Sequence, residues 1–380
     1  MPLILGIESS CDETAAAVVR NGEQLLSNVV SSQIAAHLPY GGVVPELASR
    51  EHLRAIVPVV RQAVESAGIS LESVDALAVT QGPGLAGSLL VGITYAKALA
   101  FALPKPLIAV NHLEGHIHAV LLEHRQPRKA ELLLPTLALV VSGGHTHLYL
   151  VERSDQGAWT YRNIGRTLDD AAGEAFDKVA KLLALSYPGG PIIEQLAAHG
   201  DPRTISMPLS QIKIRQKRNS TNDEQETYDF SFSGIKTAVL RFTETHAMQE
   251  SIERRRIALD RTGDRKLENI LPHMDQLTLD LIASFQEAVV QDLIRKTLRA
   301  AREFEVESLI VTGGVASNSR LRSEFRLRAE AQGMRVFFPT RELSTDNAAM
   351  IAAAAHPKLL AQQFASPHVS AEASLVLTTK

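Results

Sequence analysis

Short apolar runs bounded by small or polar turns open the chain. "LILGIES" (3 to 9), "AAAVVR" (15 to 20) and "LLSNVVSSQ" (25 to 33) are separated by the polar "SCDET" and by "NGE". An Asn-Gly pair between two apolar runs is a strong short-range hairpin signal, so the start reads as strand, turn, strand and hairpin turn ahead of the first helix. After "PYGGVVPELASREH", apolar positions recur at helical spacing through "LRAIVPVVRQAVESAG". "VDALAVTQ" then reads as a buried strand, "GPGLAGS" as a turn and "LLVGITYAKALAFAL" as a second helix. "PLIAV" (106 to 110) is a further buried strand, with Asn111 placed to cap a helix behind it. Strands alternating with helices predict an α/β protein.

The opening theme returns at "TLALVVSGGHTHLYLVERSDQGAWTYRNIG", again strand, small polar turn, strand, turn and strand. Two such starts, each followed by helices, predict two related domains facing a cleft. Two stretches interrupt the order, at about 205–229 and 243–272, where "KIRQKRNSTNDEQET" and "QESIERRRIALDRTGDRKLEN" read as charged surface insertions, the second helical. Lys213, Arg215, Lys217 and Arg218 make the first one locally basic, a solvated loop or a contact for nucleic-acid phosphate.

Composition narrows the picture. The chain has 380 residues, 45% hydrophobic and 21% charged, enough for two domains with real cores. Its net charge of −3 excludes a generally basic nucleic-acid coat, so any nucleic-acid partner must be met by local patches or other subunits. A single cysteine, Cys11, excludes a disulfide framework or a cysteine-rich zinc site. The N-terminus lacks the basic and apolar regions of a signal peptide and no apolar run is long enough to span a bilayer, so a soluble, cytoplasmic protein without a membrane partner is expected.

Candidate chemistry gathers at four places. "GIESSCDET" and "VSGGH" (141 to 145) occupy equivalent turns of the two halves, where backbone N–H groups can cradle a phosphate chain. "VTGGVASNSRLR" (311 to 322) is a strand ending in a double glycine before a helix start near Ser317 and Asn318, a place for a flat ring or an anion. "NHLEGHIHAV" holds His112, His116 and His118, and on a helix the first two share a face one turn apart while His118 points elsewhere. Such a pair is equally a surface or core feature unless a third ligand joins it. In "ELSTDNAAMIAAAA", Ser344 or Thr345 is placed to cap the alanine-rich helix, with Asp346 in its first turn. A carboxylate there is favoured by the helix dipole alone, or it completes a metal site with the two imidazoles.

The motifs "GIESSCDET", "YGGVVPELASREH", "QGPGLAGSLLVG", "NHLEGHIHA", "LVVSGGHTHL", "DDAAGEAFDKVAKLL", "YPGGP", "FSFSGIKTAV", "GGVASNSRLR" and "STDNAAMIA" occur in order along most of the chain. Together they resemble the bacterial tRNA adenosine threonylcarbamoyltransferase family, TsaD or YgjD, of the actin-like ATPase superfamily. That resemblance implies two actin-like, RNase H-like lobes around a nucleotide-binding cleft. One lobe would take residues 1–110 and about 346–380, and the other 111–345 with the insertions. The implied reaction moves the L-threonylcarbamoyl group from threonylcarbamoyl-AMP to N6 of adenosine 37 in tRNAs reading ANN codons, releasing AMP.

By the family pattern, His112, His116 and Asp346 hold one divalent metal, iron ahead of zinc. Val140, Val141, Ser142, Gly143 and Gly144 line the phosphate and acyl side, Asp177 and Gly190 hold the ribose, and Asn318 the adenine side. Asp12 and Glu13 match acidic positions tied to activity. The implied partners are tRNA, a TsaB-like paralogue, a TsaE-like P-loop ATPase and a TsaC/Sua-type synthase that makes the donor. No Ser/His/Asp arrangement is evident or needed, and Cys11 reads as a bystander. Two other readings compete. A metalloendopeptidase would need the glutamate of His-Glu-x-x-His, whereas Glu114 stands two residues after His112. An actin-like nucleotide switch without catalysis would need no imidazole ligands.

Overall fold

The computed structural model describes residues 1–124, 132–155, 157–210, 212–214, 225–262 and 266–378. In the first part of the chain, β1 (Leu3–Glu8), β2 (Glu13–Arg20) and β3 (Gln24–Ser32) lead through α1 (Ile34–His37) to α2 (Pro45–Ser66). There follow β4 (Ala76–Gly82), α3 (Ala86–Ala102), β5 (Leu107–Asn111) and α4 (His112–His124). The second pass holds β6 (Thr136–Val141), β7 (Thr146–Arg153), β8 (Trp159–Arg166), α5 (Ala172–Leu182) and α6 (Gly189–Ala197).

The first insertion contains the short antiparallel pair β9 (Lys213–Ile214) and β10 (Gln225–Glu226); Arg215, Lys217 and Arg218 lie outside the described residues. α7 (Ser233–Thr245) precedes α8 (Gln249–Thr262) and α9 (Leu267–Ile270), so the second insertion is helical as its pattern predicts. The chain closes with α10 (Gln276–Glu303), β11 (Ser308–Thr312), α11 (Ser319–Glu330), β12 (Arg335–Phe337), α12 (Arg341–Ser344) and α13 (Ala348–Leu360).

These elements form two compact units: Met1–Leu134 with Val151–Arg162 and Phe337–Lys380, and Pro135–Leu150 with Asn163–Val336. One five-stranded sheet has the order β3-β2-β1-β4-β5 and the other β12-β11-β6-β7-β8. Read from its opposite edge, the second runs β8-β7-β6-β11-β12, the same succession as the first. The repeated strand starts in the sequence therefore correspond to repeated sheets. In the first sheet β1 is antiparallel to β2 and parallel to β4, with Ile4 opposite both Val19 and Ala76.

The first sheet is apolar on both faces because helices cover both, as expected for a sheet built from crossover connections. Ile4, Ala17, Val19, Ala78 and Val110 pack on the alanines of α13, whereas Leu5, Ile7, Val18 and Val79 pack on Ile56, Val60 and Leu89 of α2 and α3. Small side chains let α13 lie close. A Cβ on Gly6 would sit 2.4 Å from the carbonyl oxygen of Ala348 and 2.9 Å from the Ala352 nitrogen. Among the described residues no helix is long and apolar enough to cross a membrane.

Candidate functional site

α4 begins at His112 because Asn111, the last residue of β5, folds its side chain over the first turn. Its Oδ1 accepts from the Leu113 N–H at 2.9 Å, the capping bond expected of it. Helical spacing then brings the His112 and His116 rings together edge to face, with centroids 4.7 Å apart. Gly115 between them lets α4 press on α13: a Cβ there would be 2.9 Å from Ile351 Cδ1. That contact puts the histidines beside Asp346. Its Oδ1 lies 3.2 Å from His116 Nε2 and 3.6 Å from His112 Nε2. The three residues offer one ligand atom each within 4.8 Å of one another. Two imidazole nitrogens and a carboxylate oxygen so placed fit a divalent transition ion with open coordination positions.

The position of Asp346 differs from the expectation. α13 is capped by neither Ser344 nor Thr345 but by Asn347, whose Oδ1 accepts from the Met350 N–H at 3.0 Å. Asn347 also donates to the carbonyl oxygens of Thr345 and Leu343, at 2.8 and 3.3 Å. Asp346 thus stands before the cap, outside the first turn on which the helix-dipole reading depends. His118 does turn away, to the Tyr161 hydroxyl at 2.9 Å and the Trp159 ring.

Negative charge concentrates around the donors. Burial raises the Glu8 carboxyl, but the facing His112 and a hydrogen bond from Thr80 outweigh it and hold it below its usual value. For His112, burial opposes the charged form, and Asp346 with Glu8 overcomes it and pushes the imidazole up to about 9. Glu13 is held well above the carboxylate range by burial, then by Asp12 and Asp346. The same factors, burial first, keep the Cys11 thiol protonated, in keeping with a bystander. In the "GIESSCDET" turn the hydroxyls point inward: Ser9 donates to the Ser88 carbonyl at 2.9 Å and Thr14 pairs with His52 at 2.8 Å.

The other expected residues lie in the second unit. Val140 and Val141 are fully buried at the end of β6, with Val140 opposite Thr312 of β11. Gly313 follows with φ +96°, and a Cβ there would meet the Val141 carbonyl oxygen at 2.4 Å, which is why that turn requires glycine. The 141–145 turn is closed by the Ser142 N–H donating to the His145 carbonyl at 2.8 Å, and Gly143 and Gly144 face open space. Gly173, at the start of α5, donates its N–H to the Ser142 carbonyl at 3.1 Å. Asp177 Oδ1 accepts from the Gly189 N–H at 2.7 Å, which brings Asp177 next to Gly190. Asn318 caps α11 through the Leu321 N–H at 3.0 Å and donates to Gln286 at 2.8 Å. The structure thus gathers the second and third small-residue turns in one unit, while Asp12, Glu13 and the metal donors belong to the other.

Glu114 is engaged elsewhere. Lys358 donates to its Oε2 at 2.7 Å, Tyr161 reaches its Oε1 at 3.5 Å, and all three line a cavity of about 850 Å³ that none of the metal donors lines. The glutamate nearest in sequence to the histidines is therefore not placed as the base of a metallopeptidase. Two residues behind His112 escaped the sequence reading. Glu8 ends the apolar strand β1 and Thr80 lies two residues before the end of β4, and a carboxylate closing the apolar run "LILGIE" was the available signal.

A profile for TsaD, tRNA N6-adenosine threonylcarbamoyltransferase, matches residues 24–353. A curated protein of that name from Koribacter versatilis is 64% identical over 99% of both chains. The chain belongs to this family. A second relative of the same name, from Symbiobacterium thermophilum, is 50% identical over 93% of this chain and 91% of its own. As a family member the chain is a transferase. Its fold is also similar to that of full-length HypF in its phosphate- and nucleotide-bound form, with a TM-score of 0.54 and 12% identity, over 96% of this chain and 47% of that one. That likeness concerns the fold alone, and it agrees with the actin-like architecture expected from the sequence motifs.

Proposed function

We propose that this chain transfers the L-threonylcarbamoyl group from threonylcarbamoyl-AMP to N6 of adenosine 37 in tRNA, with AMP as the leaving group. The observation that carries the chemistry is the convergence of His112 and His116 of α4 with Asp346, from the bend before α13, at 3.2 to 3.6 Å. These residues would hold one divalent ion, iron or zinc. Bound there, it supplies Lewis acidity toward the donor's phosphate and carbamoyl oxygens. A mixed anhydride is already activated, so the protein needs no nucleophile and acts by positioning and charge stabilisation.

The open backbone at Gly143 and Gly144 lets the phosphate and acyl portion approach, flanked by Val140, Val141 and Ser142. Asp177 and Gly190 hold the ribose, and the rigid α11 start capped by Asn318 forms the adenine side. Asp12 and Glu13 are the acidic positions that the family resemblance ties to activity, and burial, then Asp12 and Asp346, holds the Glu13 carboxyl well above the usual carboxylate range. A net charge of −3 leaves most of the tRNA backbone to local patches and partner proteins. The family resemblance supplies those partners: a paralogue of the same fold, a P-loop ATPase and a synthase for the donor.

The experiment combines the purified chain and these partners with threonylcarbamoyl-AMP and unmodified tRNA, and looks by mass for the modified nucleoside. Its appearance, dependent on metal, is expected. Its absence from the complete mixture, together with metal-dependent cleavage of a peptide, would replace the transferase reading with the peptidase one.

A further inference from the structure

The Glu8 carboxylate is fully buried at the end of β1, and each of its contacts is a donor. Oε1 accepts from the Ser10 N–H at 2.6 Å, and Oε2 accepts from the Thr80 hydroxyl at 2.6 Å and from His112 Nδ1 at 3.1 Å. The Ser10 hydroxyl also meets His112 Nδ1, at 3.2 Å. An imidazole has two nitrogens, and whichever carries the proton in its neutral form leaves the other as the lone-pair donor. With a carboxylate that only accepts lying against Nδ1, the proton stays there. The lone pair is then on Nε2, the atom that faces Asp346.

We propose that Glu8 is a positioning residue for the metal centre, setting the tautomer and the ring orientation of His112, with Thr80 and Ser10 fixing the carboxylate in turn. The inference rests on the reading of His112, His116 and Asp346 as ligands. A ligating histidine generally donates its second N–H to such a partner, and loss of that partner weakens metal binding by about 10- to 100-fold. An ionised carboxylate removed from water is costly unless its partners compensate, and here a backbone amide, a hydroxyl and an imidazole all do so. A merely structural role would be served by any group of this size that accepts these bonds.

Glu8→Gln separates the two roles. Because the Ser10 N–H can only donate, the glutamine oxygen must face it, which turns the amide NH2 toward Thr80 and His112. Nδ1 then has to accept, and the proton moves to Nε2, where it blocks the ligand position. Titration of the metal-free full chain with Co²⁺, followed by its visible absorption, should show affinity lower by about 10- to 100-fold in Glu8→Gln than in the parent. Nitrogen NMR of the His112 ring above about pH 9, where the ring is neutral, should show the proton moved from Nδ1 to Nε2. Thr80→Val keeps the carboxylate and loses one anchoring bond, so it should weaken Co²⁺ binding less. It also stands in should the glutamine variant not fold, since no weakening in Thr80→Val would then count against the network. Equal Co²⁺ affinity in parent and Glu8→Gln, with both folded, would overturn the positioning role. Failure of the parent itself to bind Co²⁺ would instead overturn the ligand assignment beneath it.

Discussion

Two adjacent residues before α13 are expected to fail in opposite ways. Asn347→Ala removes the acceptor for the Met350 N–H and two donors to the carbonyls of Leu343 and Thr345, at a site with no solvent exposure. Loss of the cap costs about 1 kcal/mol. Leaving buried backbone groups unsatisfied adds roughly 1–2 kcal/mol. A total of about 2–3 kcal/mol should lower the melting temperature by roughly 5–10 °C for a domain of this size. Asp346→Asn touches none of those bonds. It removes the oxygen that lies 3.2 Å from His116 Nε2 and 3.6 Å from His112 Nε2, together with the charge that does most to raise the His112 pKa. Its metal-free form should melt within a few degrees of the parent, while Co²⁺ or Zn²⁺ affinity falls by at least about 100-fold, more than loss of an outer partner would cause. Scanning calorimetry and metal titration of both variants decide the matter. If Asp346→Asn carries the large stability loss and still binds metal normally, Asp346 acts on the helix and not on an ion, and the site assignment fails.

Four further outcomes follow from the same geometry. Since metal binding must displace the His112 proton, affinity should rise about tenfold per pH unit between pH 7 and 9 and then level off, and a flat profile over that range would contradict the pairing with Asp346 and Glu8. The folded-state pKa of about 9 lies above the ordinary 6.5, so the stability that protonated His112 gives the metal-free protein is full below pH 6.5 and lost as pH rises through 9, visible as a falling denaturation midpoint. Gly6→Val should cost at least about 2 kcal/mol and lower metal content as well, because the side chain would collide with Ala348 and Ala352 and displace α13 with Asp346; unaltered melting and metal content would show that the contact can give way. Gly143→Ala has room for its Cβ and should melt within about 1 °C of the parent, yet it should reduce transfer by raising the KM for the donor if the 141–145 turn lines the phosphate path.

Much of this protein is legible along the chain because burial imprints a period on it. The run "LILGIES" had to be a strand buried on both faces, and β1 is one. The Asn-Gly pair had to turn a hairpin, and Asn21 and Gly22 both take the positive φ that such a turn demands. Four-residue spacing alone put His112 and His116 on one helical face, and the motif order along the chain pointed to the family. Tertiary structure decided which partners those local elements meet. Asp346 reaches the histidines only because α13 packs against α4 at Gly115. Nothing local to "STDNAAM" sets Asn347 apart from Ser344 and Thr345, the caps expected there. Asn347 takes the role because its backbone is extended at φ −154° and its side chain is held between the Leu343 and Thr345 carbonyls. Glu8 and Thr80 were hidden for a similar reason. Their contact is made between neighbouring parallel strands far apart in the chain, and a one-dimensional pattern records that a residue is buried without recording which residue it is buried against.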